Sequence, residues 1–269
     1  MSADPDRTTP DFDAVVARLR AAGCVFAEDE ARLILDEACD SRQLEDFIGR
    51  RVAGEPLEYI LGWAEFRGLR VSVAPGVFVP RQRTTLLVRE ALRVAPRAPV
   101  VLDLCCGAGA IGAAILAARP DAAVHASDID PIATDCARRT LAAVSTQAPQ
   151  VYTGDLYEPL PDSLRGRVDV IVANAPYVPT DEIRLMPPEA REHEAPAALD
   201  GGADGLALQR RVGAGAGEWL SPGGHVLIET SRRQASATVG ILEAAGFSAS
   251  IVRDDDVDGT VVVGRRPPS

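Results

Sequence analysis

The chain has 269 residues, of which 46% are hydrophobic and 25% charged, and its formal net charge at pH 7 is -11. This length and composition allow one large α/β domain with a real core and a small appended unit. The acidic balance argues against a nucleic-acid binder, because phosphate contacts require a basic surface. All 28 basic residues are arginine.

The sequence gives no support for metal binding or for membrane insertion. Its five cysteines include no C-x-x-C pair and its three histidines lie far apart, so free thiols in a reducing compartment are expected. The N-terminus is acidic and polar, unlike a signal peptide. The longest uncharged run, residues 104–118, is shorter than a membrane span. These features predict a cytoplasmic protein.

The N-terminal region has the periodicity of helices. Apolar residues recur at helical spacing within residues 11–53, and Ser41 is expected to cap the third helix. A Gly-Glu-Pro break follows, and the alternating segment 69–73 then predicts a hairpin. We therefore expect a helical unit over residues 1–55 and a hairpin linker over residues 56–80.

The remainder, residues 81–269, is predicted to be one domain in which strands alternate with helices. Strands are expected at Pro99–Leu104, Ala123–Asp128, from Val151, and at Val168–Ala173, His225–Glu229, Ser248–Arg253 and Thr260–Gly264. Helices are expected at Ala110–Ala118, Ile132–Ala143 and Gln234–Ala245. Such alternation is typical of a parallel, doubly wound α/β sheet that binds ligands at the carboxyl ends of its strands. The last two strands are expected to form an antiparallel pair at the end of the sheet.

The first of these strands leads into a glycine-rich turn. Gly107, Gly109 and Gly112 fit the G-x-G-x-x-G pattern, which permits a tight turn and close ligand approach but does not identify the ligand. Asp103 lies four residues before Gly107. A carboxylate there repels a pyrophosphate and attracts the sulfonium and amino groups of S-adenosylmethionine. Asp103 therefore favours S-adenosylmethionine over NAD.

Two further positions suit a nucleoside. Asp128 ends the second strand, 21 residues after Gly107, and can accept hydrogen bonds from both ribose hydroxyls of either cofactor. Asp155 and Leu156 follow the third strand and offer an acceptor for the adenine amine and an apolar face for its ring. Gly154-Asp155 is also common turn chemistry, so a purely structural role for Asp155 stays open.

The tetrapeptide Asn174-Ala175-Pro176-Tyr177 follows the fourth strand. An amide nitrogen is a poor nucleophile because its lone pair is delocalised, and two acceptors that bind both of its N–H groups aim it at a methyl donor. The side-chain oxygen of Asn174 and the carbonyl of Ala175 can be that pair, and Tyr177 can stack on the planar group. This predicts in-line methyl transfer to a planar nitrogen; a loop that merely ends a strand is the structural alternative.

With these residues the chain resembles the HemK/PrmC-type protein-(glutamine-N5) methyltransferases, which modify a glutamine of peptide chain release factors. Residues 174–177 correspond to that family's Asn-Pro-Pro-Tyr motif, and similar segments are Glu55–Gly62, Phe78–Arg81 and Glu194–Leu206. The resemblance covers most of residues 50–266. It implies a class I S-adenosylmethionine-dependent methyltransferase fold with a Rossmann-like, seven-stranded, mostly parallel sheet and a small helical N-terminal substrate-recognition domain. It also implies a protein substrate, with no direct nucleic-acid contact and no membrane contact.

The residues and the resemblance together give a predicted site. The expected cofactor contacts are Asp103, Cys105, Cys106, Gly107, Ala108, Gly109, Asp128, Ile129, Asp155, Leu156 and Asn174. The expected contacts of the substrate glutamine are Asn174, Ala175, Pro176 and Tyr177. The chain departs from the family pattern at Ala175, at Cys105-Cys106 in place of the usual Gly-Thr, and at Gln82-Arg83 in place of Pro-Glu, which indicates a divergent member.

Three other functions remain as alternatives. A nucleic-acid methyltransferase acting on the exocyclic amine of adenine or guanine can use a similar tetrapeptide, although the acidic balance disfavours it. An NAD-dependent oxidoreductase would use the glycine turn, although Asp103 disfavours it. A catalytically silent binding protein is the third, because residue 175 is altered.

Overall fold

The computed structural model describes residues 12–268. Its helices are α1 (Phe12–Ala21), α2 (Ala27–Glu37), α3 (Ser41–Val52), α4 (Leu57–Leu61), α5 (Thr85–Val94), α6 (Ala110–Ala118), α7 (Pro131–Val144), α8 (Pro188–His193), α9 (Pro196–Leu199), α10 (Ala207–Trp219) and α11 (Ala235–Ala244). Its strands are β1 (Trp63–Phe66), β2 (Leu69–Ser72), β3 (Val100–Leu104), β4 (Ala123–Asp128), β5 (Gln150–Thr153), β6 (Val168–Ala173), β7 (Leu220–Glu229), β8 (Ser248–Asp254) and β9 (Gly259–Arg265). Short 3-10 helices occupy Gln82–Thr84, Asp162–Leu164 and Thr180–Leu185.

Helices α1, α2 and α3 pack around their own apolar cluster. Leu19, Ile34 and Ile48, one from each helix, are fully buried in it, as the helical periodicity predicts. The expectation that Ser41 caps α3 is wrong. Asp40 is the cap: its extended backbone lets the carboxylate accept a hydrogen bond from the Gln43 N–H at 2.8 Å, and Ser41 is the first helical residue.

The segment between the helical cluster and the large sheet contains more structure than its sequence pattern predicts. Strands β1 and β2 form the expected antiparallel hairpin, with Trp63 opposite Ser72. Helix α4 precedes the hairpin, and α5 follows the 3-10 helix at Gln82–Thr84; neither helix was predicted. Helix α5 buries Leu86, Leu87 and Val88 in the central core.

The large sheet has seven strands in the order β5-β4-β3-β6-β7-β9-β8. Strands β3 to β7 are mutually parallel, and β9 pairs antiparallel with both β7 and β8. The predicted doubly wound sheet and the final antiparallel pair are therefore confirmed. The chain passes from β7 to the edge strand β8 and returns as β9 between them, an order that alternation alone does not specify.

The strand order places a crevice at one edge of the sheet. After β3 the chain moves to β4 and β5 on one side, and later to β6 and β7 on the other. The carboxyl ends of β3 and β6 are thus adjacent at a topological switch point, where open α/β sheets bind ligands. Within residues 12–268, no helix is both long and apolar enough to span a bilayer.

Candidate active site

A cavity of about 790 Å³ lies at the carboxyl edge of the sheet, and its volume is in the range of small-molecule sites. The predicted site residues that line it are Cys105, Cys106, Gly107, Ala108, Asp128, Ile129, Asp155, Leu156, Asn174, Ala175, Pro176 and Tyr177. Two predicted residues, Asp103 and Gly109, are not part of its wall. The ends of four parallel strands therefore bring together segments that are up to about seventy residues apart.

The glycine turn after β3 has an uncommon backbone. Residues Cys105, Gly107 and Gly109 have φ values of 53°, 52° and 77°, in the left-handed region. At Gly109 an added Cβ would lie 3.0 Å from the Cα of Ala137 in α7. Gly109 therefore shapes the turn and allows helices α6 and α7 to approach, without lining the cavity itself.

Asp128 ties the second strand to this turn. Its Oδ2 accepts a hydrogen bond from the Gly107 N–H at 2.8 Å, and its Oδ1 accepts one from the Asp130 N–H at 3.0 Å. Each carboxylate oxygen has a second lone pair, so both remain able to accept from a ligand in the cavity. Burial raises the pKa of Asp128, and the two backbone N–H groups oppose that rise.

Asp103 lies behind the turn. It is fully buried, and its Oδ2 accepts a hydrogen bond from the Gly112 N–H at 2.9 Å. Its Oδ1 has no hydrogen-bond partner among the described residues. Burial raises the pKa of Asp103 to about 7, and the negative charge of Asp128 adds to the rise. The predicted contact between this carboxylate and the cofactor does not fit this position; the side chain instead braces the first turn of α6.

The raised pKa of Asp103 predicts a pH-dependent stability. Because the folded state holds this proton more tightly than the unfolded state, stability is present at low pH and is lost as the pH rises towards 7. Between pH 5 and pH 8 the free energy of unfolding should fall by about 2–3 kcal/mol more in the wild type than in Asp103→Asn. Urea unfolding at both values measures this, and Glu229, whose pKa is also raised, is common to both proteins. If the free energy of unfolding changed with pH equally in the wild type and in Asp103→Asn, Asp103 would not be protonated at pH 5.

Asp155 and Leu156 form the cavity wall beyond β5. Asp155 makes an ion pair with Arg211 of α10 at 2.8 Å, and both residues line the cavity. Leu156 is almost buried and has a φ of 48°, and its carbonyl accepts a hydrogen bond from the Ser127 hydroxyl at 2.8 Å. Leu156 and the exposed Ile129 thus present apolar surface to the cavity. The Asp155 carboxylate is paired with Arg211, which was not predicted as a site residue.

The four residues of the tetrapeptide after β6 line the same cavity. The side chain of Asn174 donates from Nδ2 to the Thr84 hydroxyl at 3.4 Å. Within residues 12–268 its Oδ1 accepts no hydrogen bond, and neither does the carbonyl oxygen of Ala175. Asn174 and Ala175 therefore offer two unused acceptors on adjacent residues.

The position of the tetrapeptide is fixed by a second loop, residues 200–206. Gln234 donates from Nε2 to the Tyr177 carbonyl at 2.9 Å and to the Asp204 carbonyl at 3.1 Å. At Gly201 an added Cβ would lie 2.7 Å from the Pro176 carbonyl oxygen. The glycines of this loop thus let its backbone lie directly against the tetrapeptide.

The cavity is also lined by residues that were not predicted as site residues. They include Phe78, Arg81, Arg83 and residues of the segment from Met186 to Leu199. Glu194 anchors that segment: its Oε1 accepts hydrogen bonds from Arg81 at 2.5 Å and from the Val79 N–H at 3.3 Å. Family similarity at residues 78–81 and 194–206 marked parts of both segments, but sequence spacing gives no reason to place them in one cavity with the end of β6.

Comparisons with known proteins agree with this geometry. A family model described as Methyltransferase small domain matches residues 68–204. The chain is 40% identical over 219 residues to a release factor glutamine methyltransferase of Geobacter sulfurreducens, covering 81% of this chain and 76% of that protein. It is 35% identical over 207 residues to a 4-amino-L-phenylalanine/4-methylamino-L-phenylalanine methyltransferase of Streptomyces pristinaespiralis, covering 74% and 69%. A methyltransferase structure from Pyrococcus furiosus is similar in fold, with a TM-score of 0.57 and 17% identity over 84% of this chain and 98% of that one.

The sheet order, the glycine turn after β3 and the acid at the end of β4 define a class I S-adenosylmethionine-dependent methyltransferase. The chain belongs to the HemK/PrmC-type family of protein-(glutamine-N5) methyltransferases. The resemblance inferred from its motifs is confirmed.

Proposed function

We propose that this protein transfers a methyl group from S-adenosylmethionine to the side-chain amide nitrogen of a glutamine in a protein, with a peptide chain release factor as its substrate. One observation carries the proposal. Asn174 and Ala175, whose acceptor oxygens are unused in residues 12–268, line the same cavity as the glycine turn and Asp128. A donor on the turn and an amide on the tetrapeptide would share one enclosed space.

The acids and the apolar residues that line the cavity support S-adenosylmethionine as the methyl donor. The carboxylate of Asp128, already oriented by two backbone N–H groups, suits the ribose hydroxyls. Ile129 and Leu156 offer apolar surface for a flat ring. Asp128 and Asp130 line the cavity beside the glycine turn and favour a cationic ligand over a polyphosphate at that place, whereas the charge of Asp155 is paired with Arg211.

In this mechanism the tetrapeptide positions the acceptor. Oδ1 of Asn174 and the carbonyl of Ala175 accept the two N–H bonds of the glutamine amide, so the face of the nitrogen points at the donor. Bound S-adenosylmethionine would supply an electrophilic methyl carbon to the amide nitrogen, and the carbon–sulfur bond of its sulfonium is the bond that would break. The two acceptor oxygens also stabilise the positive charge that develops on nitrogen. The surplus N–H proton then leaves to solvent, because the methylated nitrogen is strongly acidic.

Mass spectrometry tests the proposal directly. Purified protein, S-adenosylmethionine and an intact release factor should give one added methyl group on a single glutamine. A release factor with that glutamine replaced by alanine is the matched control and should gain no mass. No methylation of any release-factor glutamine by wild-type protein would refute the proposed function.

Other acceptors form separate arms of the same experiment. Radiolabelled donor is offered with DNA, with total RNA, and with 4-aminophenylalanine, the amine named for the Streptomyces pristinaespiralis relative. Label in nucleic acid would support an exocyclic-amine methyltransferase, and label in the free amino acid would indicate a small-molecule enzyme. Either result without protein methylation would overturn our assignment.

The role of Asp128 predicts a selective loss of cofactor affinity. Asp128→Ala should weaken binding of S-adenosylhomocysteine about 10- to 100-fold, because it removes a charged acceptor of ribose hydroxyls and the brace on the Gly107 N–H. Calorimetric titration measures it. Asp121→Ala is the control, since Asp121 pairs with Arg119 at the other end of β4 and should leave affinity unchanged. Equal affinity of wild type and Asp128→Ala would refute the ribose assignment.

A further inference from the structure

A buried acid lies beside the catalytic tetrapeptide, and neither donor nor acceptor binding accounts for it. Glu229 is the last residue of β7 and is 1% exposed. Its Oε2 has no hydrogen-bond partner in the described part of the chain. A buried carboxyl group with an unpaired oxygen is costly, so its presence at the carboxyl edge of the sheet calls for a physical reason.

Thr84 links this acid to Asn174. Thr84 is buried, its hydroxyl lowers the pKa of the Glu229 carboxyl as a hydrogen-bonding group, and it accepts the hydrogen bond from Nδ2 of Asn174 at 3.4 Å. Thr84 lies in the 3-10 helix before α5, whereas the other two residues end neighbouring parallel strands. Three separate segments thus form one row of polar side chains.

The row has a direction because a hydroxyl has a single proton. If Thr84 donates that proton to Glu229, only its lone pairs face Asn174. Asn174 must then present its NH₂ group to Thr84, which turns Oδ1 away from Thr84 and towards the cavity. Without this constraint, the Asn174 amide could rotate by half a turn and present N–H donors to an acceptor amide that itself needs acceptors.

We propose that Glu229, acting through Thr84, is a positioning residue that fixes the orientation of the Asn174 amide. The inference rests on the proposed function for its catalytic meaning, whereas the orientation itself is a property of the free protein. Burial raises the pKa of Glu229 to about 7. The charge of Arg83, in the same 3-10 helix as Thr84, lowers the pKa of Glu229. The charge of Glu229 in turn contributes to the raised pKa of Tyr177 in the tetrapeptide. Deprotonation of Glu229 makes the carboxylate an acceptor only and therefore enforces the direction of the row.

One experiment follows the orientation without any substrate. Asn174 is the single asparagine of the sequence, so protein labelled with ¹⁵N in asparagine side chains gives one amide signal in NMR spectra. In the wild type this signal should shift with pH at the titration midpoint of Glu229. Glu229→Gln and Thr84→Val should each remove that shift, while Asp103→Ala, which adds no asparagine, should retain it. A shift that persists in Glu229→Gln and Thr84→Val would overturn the proposal.

Kinetics supply the second readout. Thr84→Val should lower kcat for glutamine methylation about tenfold, the loss expected for one hydrogen bond, and should leave S-adenosylhomocysteine affinity unchanged. Thr84→Ser should restore kcat, because it returns the hydroxyl. Thr140→Val is the matched control: Thr140 is equally buried and accepts a backbone hydrogen bond from Ser72, so kcat should not change.

The outcomes separate the two proposals. A wild-type protein that methylates no glutamine refutes the proposed function, while the NMR titration still decides the orientation. An active wild type whose kcat and pH profile match those of Thr84→Val refutes only the positioning role.

Discussion

Asn174→Ala should lower kcat for glutamine methylation about 100- to 1000-fold, the loss typical of removing one preorganised group that stabilises developing charge. The variant loses Oδ1, which accepts no hydrogen bond within residues 12–268, from a residue that lines the cavity. The acceptor amide would then be held only by the carbonyl of Ala175 and could turn its lone-pair face away from the donor. Steady-state methylation of a release factor measures kcat.

Two controls separate catalysis from folding and donor binding. Thermal unfolding of Asn174→Ala should match that of the wild type, because the side chain makes one long hydrogen bond, to Thr84 at 3.4 Å. Since Asn174 is also a predicted cofactor contact, kcat is measured at saturating S-adenosylmethionine, which removes any loss of donor affinity from the comparison. Ser221→Ala serves as the matched polar-to-alanine control. Ser221 bonds Asp169 at 3.1 Å at the opposite end of β6, and its loss should leave kcat unchanged. Wild-type kcat in Asn174→Ala would remove the residue from the mechanism.

Gly205→Ala should destabilise the protein by about 2–4 kcal/mol, because strain and overpacking combine there. Gly205 has a φ of 73°, and an added Cβ would overlap the Tyr177 carbonyl oxygen and the Gln234 side chain. The loop would have to move away from the tetrapeptide, and the hydrogen bond from Gln234 to the Tyr177 carbonyl would be lost. Activity should therefore fall with stability, as urea unfolding and methylation assays would show.

Gly217→Ala is the contrasting substitution. Gly217 lies within α10, and an added Cβ would meet no atom within 4 Å. Alanine should raise stability there by about 0.5–1 kcal/mol, because it reduces the backbone entropy lost in a helix. Equal stability of Gly205→Ala and wild type would show that the loop and tetrapeptide can separate without cost.

Local patterns were most informative where one strand runs into one turn. The bounds predicted for β4, β6 and α6 agree with the structure to the residue. Each apolar run has a clear limit in the sequence: β4 ends at Asp128, β6 ends before Asn174, and α6 begins after Gly109. Patterns were least informative around α4 and α5, where helices lie among loop-like sequence and gain stability from burying one face against the rest of the protein. The cap of α3 shows the same limit: Asp40 and Ser41 are both good caps by composition, and the backbone conformation selects between them.

By itself the sequence determined the class of this protein, because a glycine turn, an acid at the next strand end and a polar tetrapeptide each follow an apolar strand. Parallel strands end at a common edge, so these local signals converge in space without further information. Only the tertiary structure decided that Asp103 lies behind the turn and that Thr84 and Glu229 stand beside Asn174. Burial and contact between distant segments depend on how α5, β6 and β7 pack together, and no spacing along the chain encodes that arrangement.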